Sequence, residues 1–176
     1  LWRRLTELGV EPFAAAGHSV GELPALSACG MADPNDVMEI AAARGELMAD
    51  AASKAQGGMM AVTGVPKETI FKAVKTFQNK GVIGTAAVNA PNQVTVSGDT
   101  RLLEQLAGEF RKEHGANVTR LRVSGAWHSE HMKPAAASLR RILSKIDFRR
   151  PSVPIVLNRD GGTIDEPEKV REYIVE

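Results

Sequence analysis

Phe13-Ala14-Ala15-Ala16-Gly17-His18-Ser19-Val20-Gly21-Glu22-Leu23 is the stretch from which the rest of the chain is read. Residues 13–18 form a short apolar run of the kind a buried strand makes. From Ser19 to about Cys29, closed by Gly30, the pattern is helical. Ser19 therefore falls at a strand-to-helix turn. Gly17-His18-Ser19-Val20-Gly21 matches G-x-S-x-G, and strand, turn and helix are the setting in which that pattern has chemical meaning. The turn pushes the serine Oγ outward, and both flanking glycines are expected where a Cβ would clash. The helix beginning at Val20 aims backbone N–H groups and its positive end at the hydroxyl, which makes the Val20 N–H the expected oxyanion donor. Pro24 lies inside that helix and is expected to bend it.

Working outward, Leu1–Leu8 reads as a helix stopped by Gly9. Asp33-Pro34 is a helix start, an N-cap followed by proline, and the helix is expected over residues 35–52. Its apolar face carries Val37, Ile40, Ala41, Met48 and Ala51. Arg44 falls on the same stripe, four residues from both Ile40 and Met48. A buried arginine there needs a partner. Two kinds remain open from the residues alone: a structural carboxylate such as Glu22 or Glu46, or the carboxylate of a ligand, which a guanidinium matches in two-pronged fashion.

After Gln56-Gly57-Gly58 the rhythm changes. Strands are expected at 59–63, 83–88, 94–97 and 118–123, and helices at 66–80 and 100–114. Asn89-Ala90-Pro91-Asn92 joins the two middle strands. The order β-α-β-β-α-β is the ferredoxin-like arrangement, read as a small domain over residues 58–123 inserted into a larger one built from 1–57 and 124–176. In the larger part, 124–130 is a loop, 132–146 an amphipathic helix and 154–157 a short strand.

Bulk properties narrow the function. The formal net charge of +1 gives no basic footprint for nucleic acid and no polybasic membrane patch. The single cysteine, Cys29, excludes an intrachain disulfide and a zinc-binding cysteine cluster. No apolar run approaches the ~18–20 residues of a membrane span, and there is no signal peptide. The chain opens at Leu1 without a methionine, and both ends lie inside helical patterns. A piece of a longer, cytoplasmic protein is therefore expected, and a monomer, since no long apolar stripe is left over.

A serine hydroxyl is protonated at neutral pH and needs a base within hydrogen-bond reach. On the residues alone His18, His128 and His131 are nearly equal candidates, with His114 behind them at the end of a polar helix. A family resemblance separates them. Gly17-His18-Ser19-Val20-Gly21-Glu22 resembles the G-H-S-[LV]-G-E signature of acyl-carrier-protein transacylases and polyketide acyltransferase domains. Ala41-Ala42-Ala43-Arg44-Gly45 is similar to that family's arginine-bearing helix. Residues 89–98, Asn-Ala-Pro-Asn-Gln-Val-Thr-Val-Ser-Gly, resemble its N-x-P-x-Q-x-V-x-S-G hairpin, and Ser124-Gly125-Ala126-Trp127-His128 resembles its S-x-A-F-H motif.

The resemblance implies an α/β fold: an α/β-hydrolase-like parallel-sheet domain with the inserted ferredoxin-like subdomain. It implies transfer of malonyl from malonyl-CoA to acyl carrier protein, in fatty acid or polyketide biosynthesis. Ser19 would be the nucleophile, His128 the base and Arg44 the grip on the malonyl carboxylate, with neither metal nor cofactor. His18 would flank the substrate, Asn89 would line its site, and Trp127, where Phe is usual, would exclude an α-methyl group. The family's G-Q-G loop, source of a second oxyanion N–H, and a later segment that orients the histidine do not occur in this sequence. The chain alone is therefore expected to be weakly active, because one oxyanion donor is worth about 10²–10³ in rate. A serine hydrolase on the same fold, a polyketide synthase domain and a non-catalytic carrier-binding remnant are the competing expectations.

Overall fold

The computed structural model describes residues 2–175. Its elements run α1 Trp2–Glu7, β1 Ala15–Ala16, α2 Glu22–Ala28, α3 Pro34–Ser53, β2 Gly57–Thr63, α4 Lys67–Phe77, β3 Ile83–Ala90, β4 Gln93–Asp99, α5 Thr100–His114, β5 Asn117–Arg120, α6 Lys133–Leu143, β6 Ile155–Val156, β7 Thr163–Ile164 and α7 Pro167–Val175. Short 3-10 turns cover Ser19–Gly21, Gln78–Lys80 and Glu130–Met132. The chain divides into two compact units, Leu1–Gly45 with Ala136–Glu176, and Glu46–Ala135. No described helix is long and apolar enough to cross a membrane.

The second unit holds the expected β-α-β-β-α-β order. Its four strands lie β3-β4-β2-β5, with every neighbour antiparallel, which is the ferredoxin-like sheet. Strand alternation sends Met60 and Val62 of β2, and Val94 and Val96 of β4, into one core. Helical spacing brings Ile70, Val74 and Phe77 of α4, and Leu102, Leu106 and Phe110 of α5, into the same core. Gly115 ends α5 in the left-handed conformation at φ 60°, and its N–H bonds to the Phe110 carbonyl. The β3–β4 connection is tighter than expected, with only Pro91-Asn92 between the strands. Asn89 belongs to β3 instead, at a register shift between Val88 and Ala90 that marks a bulge.

The first unit carries a mixed sheet in the order β1-β6-β7. β1 and β6 are parallel, with Ala15 opposite Ile155 and Ala16 opposite Val156. β6 and β7 are antiparallel, so the sheet is not purely parallel. The run 13–18 is not a buried strand. Only Ala15–Ala16 pairs, and Phe13 is 94% exposed, because among the described residues β1 has a hydrogen-bonded neighbour on its β6 side alone. Pro24 is the third residue of α2, where its missing N–H would have had no intrahelical partner.

Two ties hold the segment before β6 to the end of α2. Ser152 N–H and Oγ both donate to the Cys29 carbonyl, at 2.7 and 3.0 Å, and Arg149 N–H donates to the Met31 carbonyl at 2.9 Å. Asp33 caps α3 as expected, its Oδ1 accepting the Asn35 N–H at 2.9 Å. Arg171 of α7 closes the other end of α6, donating to the Leu143 and Ile146 carbonyls at 3.0 and 2.8 Å.

Phe110 is fully buried in the ferredoxin-like core, so Phe110→Ala is expected to cost about 3–5 kcal/mol of that unit's stability. Urea unfolding followed by circular dichroism measures this, and a loss below about 1 kcal/mol would show that the core is packed differently.

Candidate active site

Ser19 has φ 51°, in the left-handed region. A residue with a Cβ pays roughly 1–2 kcal/mol for that conformation, so the surroundings must hold it. Gly17 makes the turn possible. A Cβ added there would lie 2.0 Å from the Gly21 carbonyl oxygen and 2.5 Å from the Glu22 nitrogen. Gly21 does not share this constraint: it is right-handed at φ −63°, with nothing within 4 Å of an added Cβ. One glycine is required on its own account, and the other contributes the backbone that the first must approach. The His18 carbonyl accepts the Gly21 N–H at 2.9 Å and closes the turn. His18 makes no side-chain cap and its ring is exposed.

The elbow is held from β6. Parallel register sets the residues that follow β1 beside those that follow β6. There Asn158 Oδ1 accepts the Ser19 N–H at 3.0 Å. The Asn158 N–H in turn donates to Glu22 Oε1 at 2.8 Å. A closed clip results, running from Ser19 through Asn158 to Glu22, three residues beyond Ser19.

Arg44 is half-buried on α3. Burial pulls its pKa below the ordinary arginine value, and the negative charge of Glu22 offsets part of that. Burial likewise pushes the Glu22 carboxyl above its ordinary value, against the Asn158 hydrogen bond and the Arg44 charge, which lower it. The two residues face one another electrostatically, yet desolvation remains the larger influence on each.

His128, Trp127 and Asn89 belong to the second unit. His128 also has a left-handed backbone, φ 60°. Ser129 locks the turn around it: its Oγ donates to the Ala126 carbonyl at 2.6 Å and accepts the His131 N–H at 3.3 Å. Close packing fixes the preceding residues. A Cβ on Gly125 would lie 2.6 Å from the Ala52 Cβ, and one on Gly57 would lie 2.6 Å from the Ala126 Cβ. Trp127 packs against the cluster of Ala51, Met132 and Ala135. His131, one of the three candidate bases, has an acidic partner of its own. Its Nε2 meets Asp99 Oδ1 at 2.7 Å, and Asp99 Oδ2 accepts the Val82 N–H at 3.0 Å. That pair ties the segment after His128 to the ends of β3 and β4. Asn89 Nδ2 donates to Thr95 Oγ1 across the hairpin at 3.1 Å.

Asn158, Ser129 and Asp99 were not singled out from the sequence. Ser129 carried a signal, a serine immediately before a helical turn. Asn158 carried none, since its partner lies 139 residues away. Among the described residues no group of three or more His, Cys, Asp or Glu side chains could hold a metal ion.

The sequence profile of the acyl transferase domain family matches residues 1–176. The malonyl CoA-acyl carrier protein transacylase of Bacillus subtilis is 34% identical over 175 residues, covering 98% of this chain and 55% of that protein. The acyl carrier protein S-malonyltransferase of Vibrio cholerae superposes with a TM-score of 0.91 at 34% identity, over 99% of this chain and 57% of that one. PlMCAT, a malonyl-transacylase solved in complex with AntF, a type II PKS acyl-carrier protein, gives a TM-score of 0.92 at 34% identity, over 99% of this chain and 57% of that one. The chain spans about half the length of the relatives it matches.

Glu22 gives the elbow a pH dependence. Because its folded-state pKa is raised, the folded protein holds this proton more tightly than the unfolded chain. Its stability contribution is therefore full below the ordinary value of 4.5 and is lost as pH rises through the higher folded value. Glu22→Gln keeps an oxygen for the Asn158 N–H but cannot ionise. Thermal unfolding from pH 4 to 7 is expected to show the wild type losing stability relative to Glu22→Gln as pH rises above 4.5. Parallel curves would show that Glu22 ionises in the folded protein as it does in the unfolded chain.

Proposed function

We propose, from the premise that this chain belongs to the acyl transferase domain family, that it is the central part of a malonyl-CoA:acyl-carrier-protein transacylase working through a malonyl ester on Ser19. The observation that carries this reading is the left-handed elbow at Ser19, a conformation that persists only where the surrounding structure imposes it. Ser19 Oγ attacks the thioester carbonyl of malonyl-CoA while His128 takes its proton. The Val20 N–H stabilises the oxyanion. The tetrahedral intermediate collapses, the CoA thiolate leaves, and it takes the proton back from His128. The phosphopantetheine thiol of acyl carrier protein then attacks the ester carbonyl, again through His128, and frees Ser19.

Arg44 supplies the selectivity. A half-buried guanidinium gains most from an acyl group that brings a carboxylate of its own, and a hydrolase acting on neutral acyl groups has no use for one. His18 flanks the acyl group, Asn89 lines the site, and Trp127 limits the bulk accepted at the α-carbon. The complex of PlMCAT with a carrier protein supports an acyl carrier protein as acceptor, in fatty acid or polyketide synthesis. We place the protein in the cytoplasm as a monomer.

Incubation with malonyl-CoA, acid quench and intact-mass measurement test the reading. A malonyl adduct is expected on the wild type and none on Ser19→Ala. Arg44→Ala is expected to acylate roughly 10–100-fold more slowly, the worth of a charge-assisted pair, and acetyl-CoA is expected to label poorly. Equal labelling by acetyl-CoA would remove the role given to Arg44. No adduct on the full-length gene product would overturn the transacylase reading.

A further inference from the structure

Ser19 adopts φ 51° although it carries a Cβ, and the residue that meets its backbone comes from the far end of the sequence. Ala16 pairs with Val156 in parallel register, so the residues that follow each strand leave it in the same direction and Asn158 comes to Ser19. Asn158 uses two separate groups there. Its side-chain Oδ1 accepts the Ser19 N–H, and its own backbone N–H reaches Glu22 Oε1. The turn is thereby gripped on both sides of the serine.

The clip also sorts the donors. Two consecutive backbone N–H groups lie at the elbow, those of Ser19 and Val20. The first is engaged by Asn158. The second lies inside the turn Ser19–Gly21 that runs into α2. Glu22, the other end of the clip, shares its charge with Arg44, so the loop after β6 is tied to the nucleophile and to the arginine's counter-charge at once.

Resting on the acyl-transfer reading above, we infer that Asn158 is a positioning residue for the nucleophile: by accepting the Ser19 N–H and anchoring itself on Glu22, it holds the left-handed elbow and leaves the Val20 N–H as the donor for the oxyanion. Asn158 touches neither substrate nor reacting atoms in this account; it acts through the Ser19 backbone. Its effect therefore belongs to the acylation rate and not to substrate affinity.

Two substitutions separate the hydrogen bond from side-chain bulk. Asn158→Leu keeps the shape and removes the acceptor, while Asn158→Asp keeps an oxygen in place. The first readout is independent of activity: amide hydrogen exchange of the 15N-labelled chain. The Ser19 amide is expected to be protected in the wild type and in Asn158→Asp, and to exchange faster in Asn158→Leu. A Ser19 amide unprotected in the wild type would overturn the inference. The second readout is the single-turnover rate of malonyl-Ser19 formation in the full-length protein. Asn158→Leu is expected to slow it about tenfold, the worth of one hydrogen bond, with half-saturating malonyl-CoA unchanged and with Asn158→Asp restoring most of the rate. An unchanged rate in Asn158→Leu, or a loss that appears only in half-saturation, would also overturn it. If the wild type forms no adduct, the transacylase reading fails, and the exchange measurement still decides the clip.

Discussion

The arrangement depends on one close approach of backbone to backbone. Gly17 lies so near the Gly21 carbonyl that no side chain fits between them, and that contact forces the chain through a left-handed residue at Ser19. From it follow the start of the Ser19–Gly21 turn and of α2 and the placement of Glu22 within reach of Asn158. The strain of a Cβ in the left-handed region is not relieved locally. It is held by a hydrogen bond to Asn158, just beyond the parallel neighbour of β1, so the short sheet positions Ser19 as well as supporting the fold.

The electrostatics of the first unit follow from partial burial. Arg44 and Glu22 each lose hydration, and each gains only part of it back from the other. A fully compensated pair would make a structural salt bridge with nothing left to offer. In the proposed reading, a half-buried guanidinium is better satisfied by a further carboxylate, which would be the physical content of selectivity for an acidic acyl group.

The second unit presents its histidine by a parallel device. His128 is left-handed as well, and it is fixed by its neighbours: a serine that closes the turn, glycines packed too tightly for a Cβ, and the Asp99–His131 pair that anchors the following turn to the sheet. Ser19 and His128, the two residues proposed above for proton transfer, thus both occupy left-handed backbone conformations held by ordinary contacts. That is the pattern expected where geometry, and not intrinsic reactivity, sets the chemistry.

Much of this was legible in the residues. The elbow, the β-α-β-β-α-β order, the capped start of α3 and the helix from Thr100 to His114 all rest on local signals: a glycine pattern, alternation by two, spacing by three and four, an Asp before a Pro. Such signals are carried by neighbours in sequence and survive without knowledge of what packs where. β1 and β6 were expected as the longer runs 13–18 and 154–157, of which only two residues each pair, and β7 was not expected. Strands of two residues are too short to carry a period, and their extent is set by partners brought from elsewhere in the chain. For the same reason the freedom of Gly21, the exposure of Phe13 and the function of Asn158 and Asp99 could not be read in advance. Local signals in the residues were enough to mark which side chains could do chemistry and the turn that presents the serine. What holds that turn emerges only once the chain is folded, because the hydrogen bond that does so joins residues 139 positions apart and leaves no local trace.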